Sequence, residues 1–511
     1  MKQRYKFMLW ISVCLPLMVS CDEYLDVQPS KTSSLVPTTL EHLETLLNDY
    51  DSFYQETNGT AIYSSDDYGL YKEIYEAKSN AYGITTVEFA TWDIEYLPGR
   101  GDGLWTSEYK KIFTANMVLE NLNRVSGNAE QKKVLEAEAH LIKAYSYWIL
   151  ANTHCLPYTE ANKHEMGLVL KNSVNFEESP TRATLEQTYT MIEQELEGAL
   201  KLQNPLTVVN NKFRTWRGSK PAADAFAARY YLFRNNYAEA LKYASYALEG
   251  HDELMDYNVD MRYSANKSEV TINPNTDKEI VEIKFPYTHD NQIDMTDMME
   301  WKEFYYFRML SNSSWWYIPS KELLALYDRD YDLRYKYHMV ENYSYDRGMT
   351  SPAYAYPGYI FFYKDRIPSG PTVAEMILTK AECQARMGDY IEAMNTVNVL
   401  REKRIDKNAP SDKIKLSASS QTEAISKILQ ERRREMPFST RWYDIRRFNN
   451  NEDPDDDVVL TREFYPYTNF GILGKETLKT YSLDKNSRRF AAPILNTEIE
   501  SSLGKIQQNI Y

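Results

Sequence analysis

The feature that most constrains how this chain can fold is a helix–turn–helix unit that occurs twice with the same internal spacing. In Lys220 to Glu249, Ala223, Ala227 and Tyr231 lead through Asn235-Asn236-Tyr237 into Ala240, Ala244 and Ala247. In Val373 to Arg404, Ala381 and Ala385 lead through Gly388-Asp389-Tyr390 into Ala393, Val397 and Leu400. Each copy is an apolar-periodic helix, a turn ending in Tyr, and a second helix with Ala three residues after that Tyr. Small Ala positions let two helices approach closely while the Tyr fills the turn. The copies lie far apart in the chain, so the repeats are interrupted and not tandem.

Such mechanics are those of a tetratricopeptide-like repeat, whose units need neighbours to bury a common core. Two further periodic segments predict helices between Tyr109 and Thr153. The first carries Ile112, Ala115, Leu119 and Leu122, and the second Val134, Ala137, Leu141, Ala144, Trp148 and Ala151. The second also has Leu135, Ile142, Tyr145 and Ile149 on an adjacent stripe, so it must be covered from two sides. Between the repeat copies, residues 251–370 show little helical period. Short β-leaning runs, Glu279 to Phe285 and Tyr359 to Tyr363, alternate there with aromatic-rich loops, and one helix is expected at Ser320 to Tyr327, capped by Ser320.

The first 21 residues bear on the compartment. Lys2, Arg4 and Lys6 precede an apolar run from Phe7 to Val19, followed by Ser20-Cys21. The run is too short to span a bilayer comfortably and reads as a signal peptide over residues 1–20. A small residue before Cys resembles the bacterial lipoprotein signal, in which Cys21 becomes the lipidated residue, although Met18 stands where Leu is usual; an ordinary secretory signal is the alternative. Asp22 and Glu23 resemble the export signal of surface lipoproteins in Bacteroidetes. Residues 21–40 then form a polar tether. Cys155 and Cys383, distant in sequence, read as separate buried thiols. With 59 Lys plus Arg against 73 Asp plus Glu, the net charge is −14, and no clustered basic excess suits a nucleic-acid partner.

The catalytic patterns that a sequence can display do not occur, whereas a carboxylate pair for glycoside hydrolysis is a three-dimensional property that sequence does not decide. His164-Glu165 lacks the second His of a helical zinc site, and no nucleophile elbow or phosphate-binding loop occurs. Gly99 to Gly103 reads as a hairpin or loop tip. Asp453, Asp455, Asp456 and Asp457 do not follow a calcium-loop pattern, since Val458 and Phe464 occupy its sixth and twelfth positions. No metal or cofactor is expected. Recognition is better supported: 42 Tyr contribute to an aromatic content of 14%, and flat rings stack on sugars or peptide side chains. The candidate ligand-binding residues are Trp92, Tyr96, Trp301, Tyr305, Arg308, Trp315 and Trp316, each ring weighed against a place in the core. Trp315 and Trp316 cannot both face inward on an extended strand, whereas Trp105, opening a periodic helix, is expected in the core.

The most specific segment runs from Ile428 through Leu429-Gln430-Glu431-Arg432-Arg433-Arg434-Glu435-Met436-Pro437-Phe438 and continues as Arg441-Trp442-Tyr443-Asp444-Ile445-Arg446-Arg447. Ile425, Ile428 and Leu429 can bury one face, while the charges pair along the helix and with Asp444. This segment closely resembles the signature of the SusD/RagB family of Bacteroidetes surface lipoproteins. Asp22 to Asp26, Trp105 to Asn116, Lys143 to Pro157, Pro319 to Arg334 and Ala381 to Tyr390 agree with it. So does the tail, Pro493 to Tyr511, except that Ser502 to Lys505 stands where the family often has Asn-Pro.

The resemblance implies a mainly α fold: a body of about four tetratricopeptide-like helix pairs with a loop-rich, minor-β variable half. The expected divisions are an N-terminal helical part over 41–250, a variable ligand-binding region over 251–370 and a C-terminal repeat and signature region over 371–511. It further implies a surface-exposed outer-membrane lipoprotein without enzymatic activity, which captures glycan and acts as the lid of a SusC-like TonB-dependent transporter. A peptide-binding lid and a structural scaffold without ligand are the alternatives.

Overall fold

In the computed structural model, residues 37–511 are described except 176, 177, 179, 273–278, 291–294, 312–316, 344–355 and 364. Among the described residues, 19 α-helices dominate and the strands are short. The principal helices are α1 (Leu40–Asn48), α2 (Leu104–Asn121), α3 (Ala129–His154), α4 (Leu185–Ala199), α5 (Lys220–Phe233), α6 (Tyr237–Gly250), α7 (Lys321–Leu326), α8 (Val373–Arg386), α9 (Tyr390–Arg404), α10 (Gln421–Glu435) and α11 (Arg441–Phe448). Successive helices pack as α2 on α3, α3 on α4, α5 on α6 and α8 on α9. The fold is thus mainly α, as expected.

Both repeat copies form the predicted unit. Their second helices start at Tyr237 and Tyr390, capped by the side chains of Asn236 and Asp389. These caps accept the N–H groups of Glu239 and Glu392 and so satisfy donors that have no partner inside the helix. Ala227, Ala240, Ala381 and Ala393 are fully buried. The copies, remote in sequence, stack directly on one another through α6 and α8. Cys383 of α8 packs with Leu232 and Ala240 in one apolar cluster, and the Arg386 guanidinium lies 5.3 Å from the centre of the Tyr237 ring. Cys155 and Cys383 are buried free thiols.

The long α3 is buried almost throughout from Leu135 onward, consistent with cover from two sides. The predicted helix at 320–327 is α7, with Ser320 Oγ accepting the Leu323 N–H and Leu323, Leu324 and Tyr327 buried. Of the two readings of Gly99 to Gly103, a hairpin is not formed, and Gly101 to Gly103 lie in a short loop between helices. Leu97–Arg100 form a short helix with Pro98 in its first turn, and Asp102 accepts the N–H groups of Gly59 and Leu104, joining two helix starts.

The strands form small separate sheets among the described residues. Strands β1 (Gln55–Glu56), β2 (Met309–Ser311) and β3 (Arg366–Pro368) form one sheet in the order β1-β2-β3, with β1 parallel and β3 antiparallel to β2. It ties the middle of the chain to the N-terminal part. Strands β4 (Leu460–Phe464) and β5 (Lys479–Leu483) pair antiparallel, Leu460 facing Leu483 and Phe464 facing Lys479.

Candidate ligand-binding cleft

A cleft of about 490 Å³ opens where three segments from distant parts of the sequence meet: Asp66 to Glu73, the start of α7 at Ser320 to Glu322, and Val459 with Leu460 to Glu463 of β4. Backbone hydrogen bonds join the first two. Gly69 N–H donates to Ile318 O at 2.7 Å, and Ser320 N–H to Asp67 O at 2.7 Å. Gly69 permits this approach, because a Cβ there would lie 2.2 Å from the Tyr71 ring and 3.0 Å from Pro319 O.

Tyr71 supplies the aromatic wall. Its half-buried ring lies 5.3 Å from that of Tyr356, and the Lys321 ammonium lies 5.2 Å from its centre. The Tyr71 hydroxyl accepts the Lys321 N–H at 2.7 Å, while Tyr71 N–H donates to the Tyr82 hydroxyl, which in turn donates to Gly69 O. Burial raises the Tyr71 phenol above its ordinary value, so it stays a neutral hydroxyl at physiological pH. On the opposite side, Arg462 donates to the carbonyls of Tyr63, Ser65 and Tyr68, and burial pulls its guanidinium below its usual range. The arrangement offers a ring face beside Lys, Arg and carboxylate groups. It can stack a flat polar ligand and orient it by hydrogen bonds.

Five of the residues singled out from sequence lie elsewhere. Trp92 is buried behind the cleft, with its indole N–H donating to Ser64 O and the Arg462 guanidinium 5.7 Å from its ring centre. Its φ of 54° is a conformation that a bulky side chain rarely adopts. Tyr96 is half-buried at a separate rim, edge-on to Tyr467 at 6.2 Å and beneath Arg100. Trp301, Tyr305 and Arg308 are in the core. Trp301 packs on Phe361 and Phe362, and Tyr305 donates to His251 O. The Arg308 guanidinium sits 4.0 Å from the Tyr306 ring centre and 5.4 Å from that of Tyr145. Their aromatic and polar character is used in packing, which residue type alone does not reveal. Trp315 and Trp316 lie outside the described residues, as does Cys21. Tyr317 pairs with Tyr359, and two residues later Pro319 pairs with Tyr68 of the cleft wall.

Sequence reasoning did not single out Tyr71, Lys321 and Arg462, which line the cleft. Pro319 to Leu324 did stand out as a family mark, and that was the available signal. The acidic loop is occupied by the chain's own cations: Arg386 pairs with Asp453 and Asp456, and Lys485 with Asp457. Among the described residues there is no cluster of three or more His, Cys, Asp or Glu arranged to hold a metal. No helix among them is long and apolar enough to cross a membrane.

Comparison with known proteins agrees with this architecture. A family model described as "Starch-binding associating with outer membrane" matches residues 23–232, and one described as "SusD family" matches residues 373–511. Similar solved structures include a putative sugar binding protein from Bacteroides vulgatus ATCC 8482, 17% identical, with 93% of this chain and 99% of that one covered and a TM-score of 0.61. A SusD-like carbohydrate binding protein from the same organism is 15% identical, with 92% and 97% covered and a TM-score of 0.62. A SusD superfamily protein from Bacteroides thetaiotaomicron VPI-5482 is 17% identical, with 93% and 100% covered and a TM-score of 0.58. At these identities the likeness speaks for the fold. A comparison with curated sequences returned no match. The two family matches, at opposite ends of the helical body and including the signature segment of α10 and α11, show that the chain belongs to the SusD/RagB family.

Proposed function

We propose that the protein is a surface-exposed lipoprotein that captures glycan and serves as the lid of a SusC-like TonB-dependent outer-membrane transporter. The observation that carries this reading is the cleft. A half-buried Tyr71 ring with Lys321 against it, Arg462 opposite and carboxylates at the rim match what a sugar ring demands: one flat apolar contact and several directed hydrogen bonds. Family membership supports a nutrient-binding role, and two solved relatives are described as sugar or carbohydrate binding. Binding and release replace chemistry in this role, and the protein is not an enzyme. The lipid is carried by Cys21, and Trp315 and Trp316 contribute to the ligand surface.

A peptide-binding lid has one specific support. Strand β4 lines the cleft and, among the described residues, forms a two-stranded sheet with β5, an arrangement that an extended peptide could lengthen by adding a strand.

Tyr71→Ala tests the site. Loss of the stacking face should weaken glycan binding by roughly 1 to 3 kcal/mol, read by calorimetric titration. Unchanged affinity would move the ligand away from this cleft. Cys21→Ala tests the anchor: the variant should leave the membrane fraction, and its recovery there with lipid attached would refute the assignment.

A further inference from the structure

Two charged side chains of the signature segment, Arg433 and Arg441, reach the wall of the cleft and pair there with Asp66 and Asp67. We infer that Arg433, Phe438 and Arg441 are positioning residues that hold the segment from Ser64 to Tyr71 in its ligand-ready place through Asp66 and Asp67. This rests on the reading that the cleft binds ligand.

Four observations carry it. First, Asp67 is fully buried and receives Arg433 Nε on one carboxylate oxygen at 2.6 Å and the Phe438 N–H on the other at 2.9 Å. Second, Asp66 is held by a two-pronged pair with Arg441, 2.7 and 2.8 Å, and by Arg433 at 3.2 Å. Such forked pairs restrain direction as well as distance. Burial alone would raise the Asp66 carboxyl, but Arg441 and then Arg433 hold it well below the usual carboxylate range.

Third, Phe438 reaches Asp67 only by adopting φ 66°, an unfavourable conformation for an aromatic residue that its surroundings must enforce. Its fully buried ring is wedged 5.5 Å from both Tyr317 and Tyr359, so the same residue also touches the bridge between Tyr317, shortly before α7, and Tyr359. Fourth, the clamped residues connect onward without a gap. Asp67 O accepts the Ser320 N–H, Gly69 N–H reaches Ile318 O, and Tyr71 accepts the Lys321 N–H. Displacing Asp67 therefore shifts the Tyr71 ring and the start of α7 together.

Hydrogen exchange on the full chain tests the clamp without needing a ligand. In Arg433→Gln, amides of Ser65 to Tyr71 and Ile318 to Lys321 should exchange at least tenfold faster, while those of α6 and α8 keep their protection. Arg433→Lys should restore part of the difference. Unchanged exchange in the cleft wall, or an equal rise in the repeats, would overturn the inference. If Arg433→Gln does not fold, the milder Arg441→Lys decides by the same local comparison. Failure of wild-type protein to bind glycan in titration would count against the binding reading and leave the exchange result standing.

Discussion

At the scale of single residues, burial decides what a side chain does, and residue type alone predicts it poorly. Trp301, Tyr305 and Arg308 were sound candidates by chemistry, yet each is enclosed by rings supplied from elsewhere in the chain. Glu88 shows the cost of such enclosure. It is fully buried, its nearest cation is Arg100 Nε at 3.2 Å, and burial outweighs that pairing to raise its carboxyl to about 7. A carboxyl that binds its proton more tightly folded than unfolded favours folding fully below its ordinary value of 4.5; that contribution is lost as pH rises towards 7. Glu88→Gln should therefore melt at about the wild-type temperature at pH 4.5 and higher than wild type at pH 8. Equal or lower melting at pH 8 would show that the Arg100 pair dominates instead.

At the scale of elements, the helices were legible because their period is local. The Ala and Tyr spacing located both repeat copies, and Ser320 marked the start of α7. What could not be read was how elements meet. That α6 and α8 stack, with Cys383 against Ala240, depends on contacts between copies separated by the whole middle of the chain. The cleft wall was hidden for the same reason: Ser65-Asp66-Asp67 resembles any polar loop until Arg433 and Arg441 are brought to it. Ala240→Leu tests the close approach at the stacked repeats. An added side chain has no room there, and a loss of about 1 to 3 kcal/mol in unfolding free energy is expected. An unchanged denaturant midpoint would mean that the interface is looser than described.

At the scale of the whole molecule, charge ties the helical frame to the less regular middle. Arg404, fully buried, bridges Glu303 and Glu435, and Arg334 bridges Asp332, Glu431 and Glu435. The signature helix α10 thus reaches both the repeat α9 and the middle region. As the sequence reading held, its charges pair along the helix, Arg434 with Glu431, and with Asp444 through Arg432. Burial makes such networks demanding, since removal of one partner strands the other in a dry interior. The result is a rigid frame against which a cleft can be held open for a ligand.

Calorimetric titration of residues 22–511 against polysaccharides, oligosaccharides and a mixed peptide digest is the most direct test of the central claim. The predicted result is saturable binding of one glycan class, weakened by Tyr71→Ala and by Trp315→Ala or Trp316→Ala without a matching loss of thermal stability. Binding confined to peptides, or glycan binding indifferent to all three substitutions, would contradict it.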